Sequence, residues 1–410
     1  MFKGIIPLII IVLIEVYSFQ AIRTLTKSKA ILGVYIIISL AVLAYLTYTM
    51  ITFDKGHGQN QRSLWTIGLF LLIYVPKLLI TLLLVTEDIF RLLQGIITYF
   101  LGDNDKGSFL PARRKFVSQV ALGLAAIPFA SFLYGMTIGK YNFKVRKKTI
   151  YFPDLPDSFD GTTITQISDI HSGSFDDAEK IEYAISLINE QQSDLVLFTG
   201  DIVNSLAEEM YPWIDVFKKI HNPKLGKYSI LGNHDYGEYY HWNSQAEKDE
   251  NFSKIKDLHQ QINFKLLLNE NVKITKGNHS IRLIGVENWG LKFKQAGDLK
   301  KASQGVNKDE FKILMSHDPS HWDAEVQHDD NNYHLTLSGH THGFQFGIEV
   351  PGWIKWSPVQ YVYKYWAGLY ENAGRYIYVN RGFGFHAYPG RVGIMPEITV
   401  IELKKGEKVA

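Results

Sequence analysis

Apolar positions are distributed unevenly along this chain. Four aliphatic stretches, at about 4–19, 30–52, 64–85 and 116–139, crowd the first third, and the remainder is mixed and charged. The last three run to roughly 20 residues each, enough to cross a bilayer as helices. The first is shorter and carries Glu15; further spans follow it and no small-residue cleavage site is evident, so it is a poor signal peptide. Lys77 lies inside the third stretch after Pro76, where an unpaired ammonium is costly. A Glu15–Lys77 contact between helices is one expectation, and snorkelling or a protein-facing position is the other. Over 87–101 apolar residues recur at helical spacing, but Glu87, Asp88 and Arg91 interrupt them, which predicts an interfacial helix rather than a further span.

Beyond about residue 140 the pattern shortens. A β-branched run at 162–167 predicts a strand that delivers Asp169 and His171, and an apolar run at 194–199 ends at Gly200-Asp201. Helical periodicity over 176–191 (Ile181, Ala184, Ile185, Ile188) and over 210–220 separates these from a strand leading into Gly232. Such alternation argues for parallel strands joined by covering helices. Short strands follow at 265–268, 272–275, 280–286, 311–315, 335–337, 376–379 and 399–403. The predicted fold is α/β, two packed mixed β-sheets flanked by helices, preceded by an N-terminal transmembrane helical region. Expected boundaries are 1–139 for a transmembrane region of about four helices and 140–410 for the folded domain. The polar stretch 243–261 reads as an excursion over the site, and 351–370, with Trp353, Trp356 and Trp366, as a lid or a membrane-facing loop.

Composition adds exclusions. A formal charge of +2 supplies no basic field for a dedicated nucleic-acid binder, and with no cysteine there is neither disulfide nor thiolate chemistry. Ala112-Arg113-Arg114-Lys115-Phe116-Val117 fits two readings, a twin-arginine export signal or arginines holding a helix end in the cytoplasm; both put residues after 139 outside. The basic cluster Lys140, Lys144, Arg146, Lys147 and Lys148 pulls the other way.

Five polar strings follow apolar runs: Asp169-Ile170-His171, Gly200-Asp201, Gly232-Asn233-His234-Asp235, Ser316-His317-Asp318 and Ser338-Gly339-His340-Thr341-His342. All would sit on loops at strand ends, where α/β sheets place ligands. Taken singly, each histidine is more often a satisfied polar residue than a ligand. In this order the strings resemble the calcineurin-like metallophosphoesterase family. Leu155-Pro156-Asp157-Ser158-Phe159-Asp160-Gly161 and Asn380-Arg381-Gly382-Phe383-Gly384 look like its bacterial membrane-associated or exported branch.

The resemblance implies a binuclear centre of two divalent ions, with Mn, Fe and Zn all compatible with the donors. Asp169, His171, Asp201 and His342 would hold one ion, and Asp201 would bridge to a second completed by Asn233, His317 and His340. A hydroxide activated by the two ions would attack phosphorus, with His234 binding a phosphoryl oxygen or protonating the leaving group. His57, His221, His259, His279, His321, His328, His334 and His386 keep the bland reading. The sequence departs from the family in lacking Asp-Arg-Gly after Asp201, which speaks against phosphoprotein substrates, and in having Gly343-Phe344-Gln345 after His342. Asn204 stands where an acid would orient the catalytic histidine, and with Asp235 it forms the expected supporting shell.

The leading functional reading is a membrane-anchored hydrolase of phosphate esters, the substrate lipid-linked or not, in the cell membrane with its domain extracytoplasmic. Alternatives are a phosphodiesterase or pyrophosphatase on nucleotide or lipid-linked substrates, and a non-catalytic membrane sensor. No protein partner is evident.

Overall fold

The computed structural model describes residues 5–53, 56, 58–101, 111–350 and 352–407, so His57 and Pro351 lie outside the described residues. The chain divides into two compact units, Met1–Phe53 with Trp65–Tyr134, and Asp54–Leu64 with Gly135–Ala410.

The first unit is helical. Helices run Ile5–Leu25, Lys29–Ile51, Gln61–Leu101 and Pro111–Thr137, the last reaching into the second unit. Three are long and apolar enough to cross a membrane: Lys29–Ile51, Gln61–Phe100 and Arg113–Thr137. Lys77 is paired. Its Nζ donates to Glu15 Oε1 and Oε2 at 2.9 and 2.8 Å and to Ser39 Oγ at 2.8 Å, with the rings of Tyr35 and Tyr74 at 5.1 and 5.6 Å. The separate interfacial helix expected over 87–101 is corrected, because Gln61–Leu101 is one helix. The charges that read as interruptions are neutralised sideways: Arg114 Nη1 reaches Glu87 Oε2 at 2.7 Å and Asp88 Oδ1 at 2.8 Å.

The second unit is a sandwich of two sheets. In the first sheet the strand order is Lys144–Phe152, Glu397–Lys405, Thr163–Ile167, Leu195–Phe198, Lys227–Ser229 and Lys265–Leu266; Glu397–Lys405 is antiparallel to Thr163–Ile167 and the other pairs are parallel. The second runs Gly368–Asn372, Arg375–Val379, Leu335–Ser338, Lys312–Met315, His279–Gly285 and Glu270–Lys276, parallel in its middle and antiparallel at both edges. Ile164, Leu195, Leu197 and Ile401 from one sheet bury against Leu283, Ile313, Leu335 and Leu337 from the other. Each sheet also buries its outer face. Helices Ala178–Glu190 and Gln245–Gln261 cover Val196 and Phe198 with Ile181, Ile185, Ile255 and Leu258, and Trp322 packs with Ile284, Leu314 and Ile377 on the far side.

Three sequence expectations change, and one strand is new. The strand Lys144–Phe152 escaped notice because an edge strand tolerates the exposed lysines 147 and 148, which hide any apolar alternation. The stretch expected as an excursion over the site is the helix Gln245–Gln261, started by Ser244, whose hydroxyl accepts from Glu247 N, and held by buried Ile255 and Leu258. The helix expected over 210–220 is a 3-10 stretch Ala207–Trp213 and one α-turn Ile214–Phe217; Pro212 removes the amide that a longer α-helix would need. The 351–370 stretch is not one loop: Ile348–Val350 and Ile354–Trp356 form a hairpin, and Trp366 is buried while Trp353 is exposed.

Candidate metal centre

Parallel pairing brings the strings together. Thr163–Ile167, Leu195–Phe198 and Lys227–Ser229 are parallel neighbours, so Asp169, Asp201 and Asn233 leave the same edge of one sheet. Lys312–Met315 and Leu335–Ser338 are likewise parallel and deliver His317, His340 and His342 from the other. The loops are laced by their own backbone: Asp169 N donates to Gly200 O at 2.9 Å, His171 N to Asp201 O at 3.1 Å, and Gly339 N to His317 O at 2.9 Å.

Asp169, His171, Asp201, His340 and His342 all have left-handed φ, from 49° to 71°. A non-glycine residue held there costs of order 1 kcal/mol or more, and such strain concentrates at functional sites. Two glycines in the strings permit the approach. A Cβ on Gly232 would lie 2.2 Å from Asp201 Oδ1, and one on Gly339 2.2 Å from Asp169 Oδ2.

The side chains converge in two groups sharing one edge. His342 Nε2 lies 3.2 Å from Asp169 Oδ1 and 3.0 Å from His171 Nε2. His317 Nε2 lies 3.1 Å from Asp201 Oδ2, and His340 Nδ1 lies 2.8 Å from Asn233 Oδ1. Asp201, in the second group, also approaches the first, its Oδ2 being 3.6 Å from His171 Nε2. The ligand atoms of Asp169, His171 and His342 fall within 4.8 Å of one another, as do those of Asp201, His317 and His340.

The groups satisfy one another incompletely: His171 and His342 share a hydrogen bond, as do His340 and Asn233, but one ring nitrogen is left over. His317 Nδ1 faces Thr199 O at 2.7 Å, and its buried Nε2 lies 3.1 Å from Asp201 Oδ2 as an ion-pair contact without a well-formed hydrogen bond among the described residues. Burial opposes a charge on His317, but the Asp201 and Asp169 carboxylates outweigh it and push the imidazole up to about 10. The two carboxylates thus favour positive charge at His317, on the ring itself or on a cation bound in its place. Burial, reinforced by His234 and His386, holds His171 well below the usual histidine range, leaving it neutral as a ligand must be. Carboxylate, amide and imidazole donors suit first-row divalent ions, so these residues fit the metals.

The calcineurin-like phosphoesterase family model matches residues 162–344, and the model described as probable calcineurin-like phosphoesterase, transmembrane domain, matches residues 2–140. The uncharacterized metallophosphoesterase YkuE of Bacillus subtilis is 30% identical over 302 residues, 72% of this chain and 98% of that protein. This chain belongs to the calcineurin-like metallophosphoesterase family. A transmembrane protein with metallophosphoesterase domain from Danio rerio is 27% identical over 282 residues, covering 67% of this chain and 60% of its own length. The 5'-nucleotidase precursor from Thermus thermophilus overlaps 60% of this chain and 54% of its own at 13% identity and TM-score 0.36, too loosely to bear on activity. With its transmembrane domain and three spanning-length helices, this metallophosphoesterase is a membrane protein.

His234 stands beside the cluster, its N–H donating to Asp201 Oδ1 at 2.9 Å. The expectation that the Asn204 side chain orients it is corrected. His234 Nδ1 meets the backbone oxygen of Asn204 at 2.8 Å, whereas Asn204 Oδ1 faces His171 Nδ1 at 3.1 Å and His386 Nδ1 at 3.3 Å. The cause is the buried Glu209 carboxylate, which takes the N–H groups of Asn204, Ser205 and Leu206 and sets the orientation of that loop. Asp235 supports from below, accepting from Gly232 N, Asp201 N and Ile202 N at 2.8, 3.0 and 2.9 Å and so tying two ligand loops together.

Sequence reading passed over His386, which stacks on His171 at 4.8 Å and stands edge-on to His234 at 4.4 Å. Its one local signal was lying two residues after Asn380-Arg381-Gly382-Phe383-Gly384. Tyr239, Tyr363 and Arg391 also went unnoticed: their polar groups meet Asn233 Nδ2 at 2.8 Å, His340 Nε2 at 2.8 Å and His342 Nδ1 at 3.2 Å, and no local motif marks any of them.

Proposed function

We propose that this protein is a metal-dependent phosphoesterase with a binuclear centre: Asp169, His171, Asp201 and His342 around one divalent ion, and Asp201, Asn233, His317 and His340 around the other. The observation that carries this reading is Asp201, whose Oδ2 faces a histidine of each group, His171 and His317. Two such ions would supply Lewis-acid polarisation of the phosphoryl group and a nucleophilic water ionised near neutral pH.

The chain's own residues prepare for that chemistry. Contacts behind the ligands choose their atoms: Asn204 Oδ1 on His171 Nδ1 and Thr199 O on His317 Nδ1 leave both Nε2 atoms for metal. Tyr239, accepting from Asn233 Nδ2, turns Asn233 Oδ1 inward. His234 gives its Nδ1 hydrogen to Asn204 O, so Nε2 exchanges protons with substrate; burial lowers its proton affinity, against the pull of Asp201. Its role is to bind a phosphoryl oxygen and pass a proton to the leaving alkoxide. The substrate is a phosphate ester, and the membrane anchor favours a lipid-linked one on the extracytoplasmic side.

Chelator-stripped protein should bind two divalent ions by calorimetry and regain hydrolysis of phosphomonoester, diester or lipid pyrophosphate substrates with them. Binding of one ion or none overturns the binuclear reading. A reporter that works only outside the cytoplasm, fused after residue 410, should be active; cytoplasmic activity reverses the orientation.

A further inference from the structure

Large exposed apolar side chains on the second unit are concentrated in one segment. Among its described residues there are twelve, and seven lie within 344–362: Phe344, Ile348, Val350, Trp353, Ile354, Tyr361 and Val362. Trp353 is 85% exposed and Tyr361 77%.

The hairpin in this segment is turned inside out. Its register pairs Ile348 with Trp356, Glu349 with Lys355 and Val350 with Ile354. Cross-strand partners share a face and successive residues alternate, so one face is Ile348, Val350, Ile354 and Trp356 and the other is Glu349 and Lys355. On the charged face Glu349 is docked on the domain, and Lys355, itself exposed, brings its ammonium back to it. Glu349 bridges Arg381 at 2.6 Å and Arg146 at 2.7 Å, while Lys355 Nζ donates to Ala367 O and sits 4.7 Å from the Trp366 ring centre. Ile348, Val350 and Ile354 are left facing outward. A soluble surface places these residues the opposite way, and an apolar face exposed by such construction marks a docking site.

What covers it follows from where the hairpin is tied. Gly347 N donates to Val392 O at 2.9 Å, and Arg391 N donates to Gly135 O at 3.1 Å, all within the second unit. Gly135 lies in the last turn of Arg113–Thr137, one of the helices long and apolar enough to span a bilayer. The hairpin base is therefore two hydrogen-bonded steps from the end of a spanning helix. Tryptophan and tyrosine, the two most exposed residues of the patch, are the side chains that favour the lipid–water boundary.

We propose that the hairpin Ile348–Trp356, with Tyr361 and Val362, docks into the lipid–water interface of the bilayer that the chain's own helices span. Docking also bears on substrate class. The segment begins two residues after His342 and ends beside Tyr363, whose hydroxyl lies 2.8 Å from His340 Nε2, so the docked interface adjoins the candidate metal centre. A phosphoester carried on a lipid headgroup is the chemistry that fits; this clause rests on the phosphoesterase reading, whereas docking does not.

The chain has no cysteine, so single-site labelling is clean. Trp353→Cys and, as an exposed control on the helix Ala178–Glu190, Tyr183→Cys would each carry an environment-sensitive fluorophore on the full chain in proteoliposomes. Expected is quenching of the Trp353→Cys probe by nitroxide-bearing lipid several-fold above the control, with iodide in the aqueous phase quenching in the reverse order. Equal responses of the two probes overturn the proposal. Shielding from iodide without lipid quenching, together with label self-quenching that grows with copies per vesicle, overturns it in favour of a second copy as occupant. Neither readout involves hydrolysis, so failure of docking and failure of the phosphoesterase reading are distinguishable.

Discussion

The two units bury charged and polar side chains in opposite ways. In the helical unit, Lys77 meets the Glu15 carboxylate and a serine hydroxyl, and the rings of Tyr35 and Tyr74 close over its ammonium; the charge is balanced within the chain. In the sandwich unit, Asp169 and Asp201 converge with four imidazoles and an amide, and two carboxylates face more ring nitrogens than they can pair: His171 and His342 fall back on each other at 3.0 Å, and His317 Nε2 is buried without a hydrogen bond among the described residues. A self-satisfied pair needs nothing further and serves structure. A cluster that keeps a buried ring nitrogen unsatisfied and holds several strained backbone angles is suited to something outside the chain.

That contrast breaks most directly at Asp201. Asp201→Asn removes the charge facing both groups, so hydrolysis should fall by roughly three orders of magnitude, about 4 kcal/mol of transition-state stabilisation, and bound metal should drop below two per chain. Metal analysis beside a chromogenic phosphoester assay decides it: a variant with two ions and a normal rate defeats the shared-ligand reading.

In the helical unit, Glu15→Gln should strand the Lys77 ammonium among apolar helices at a cost of about 3–5 kcal/mol, seen as lost yield and a lower melting temperature in detergent. Changing Lys77→Met as well should restore much of that loss, since the pair matters chiefly by cancelling itself. An unchanged yield for Glu15→Gln alone removes the contrast.

His259 shows that a buried imidazole need not be a ligand. It stacks on Phe198 and holds Ser229 Oγ at 2.9 Å, its Nε2 has no partner among the described residues, and burial lowers it from 6.5 to about 3. The folded value is depressed, so as pH falls below about 6.5 the unfolded chain takes the proton first and stability declines until about pH 3. His259→Phe should therefore lose less stability than the parent between pH 7.5 and 5, by about 2 kcal/mol at 1.36 kcal/mol per unit. Parallel denaturation curves for the two proteins would count against a neutral His259.

The smallest expected effect concerns Asn204. Because its carbonyl, not its side chain, meets His234, Asn204→Asp should leave the alkaline limb of kcat/KM in place. A carboxylate behind His171 should instead slow metal loss to chelator by about tenfold. A profile that moves while metal retention stays constant would return the side chain to His234.

Legibility in the sequence followed the range of the interactions. The strings of the candidate centre stood out because each is a few residues long and sits where an apolar run stops, and most strands between 162 and 403 showed as β-branched or aliphatic runs. The edge strand Lys144–Phe152 was not, since its pairing with Glu397–Lys405 joins residues some 250 positions apart and its exposed lysines break the pattern. The same limit explains Asn204: nothing in Gly200-Asp201-Ile202-Val203-Asn204 tells that Glu209 will gather the loop's amides and direct a carbonyl to His234.

By itself, then, the order of residues determined the kinds of polar side chain, their succession along the chain and the apolar helical character of its first third, because propensity, periodicity and strand-end motifs are local. Only the tertiary structure decided which oxygen faces which ring, that His386 joins the histidines, that Lys77 finds Glu15, and that a hairpin turns Glu349 inward and its aliphatic residues out. Those outcomes depend on strands pairing in register and on burial that makes each unpartnered polar atom costly, and neither is a property of any short stretch.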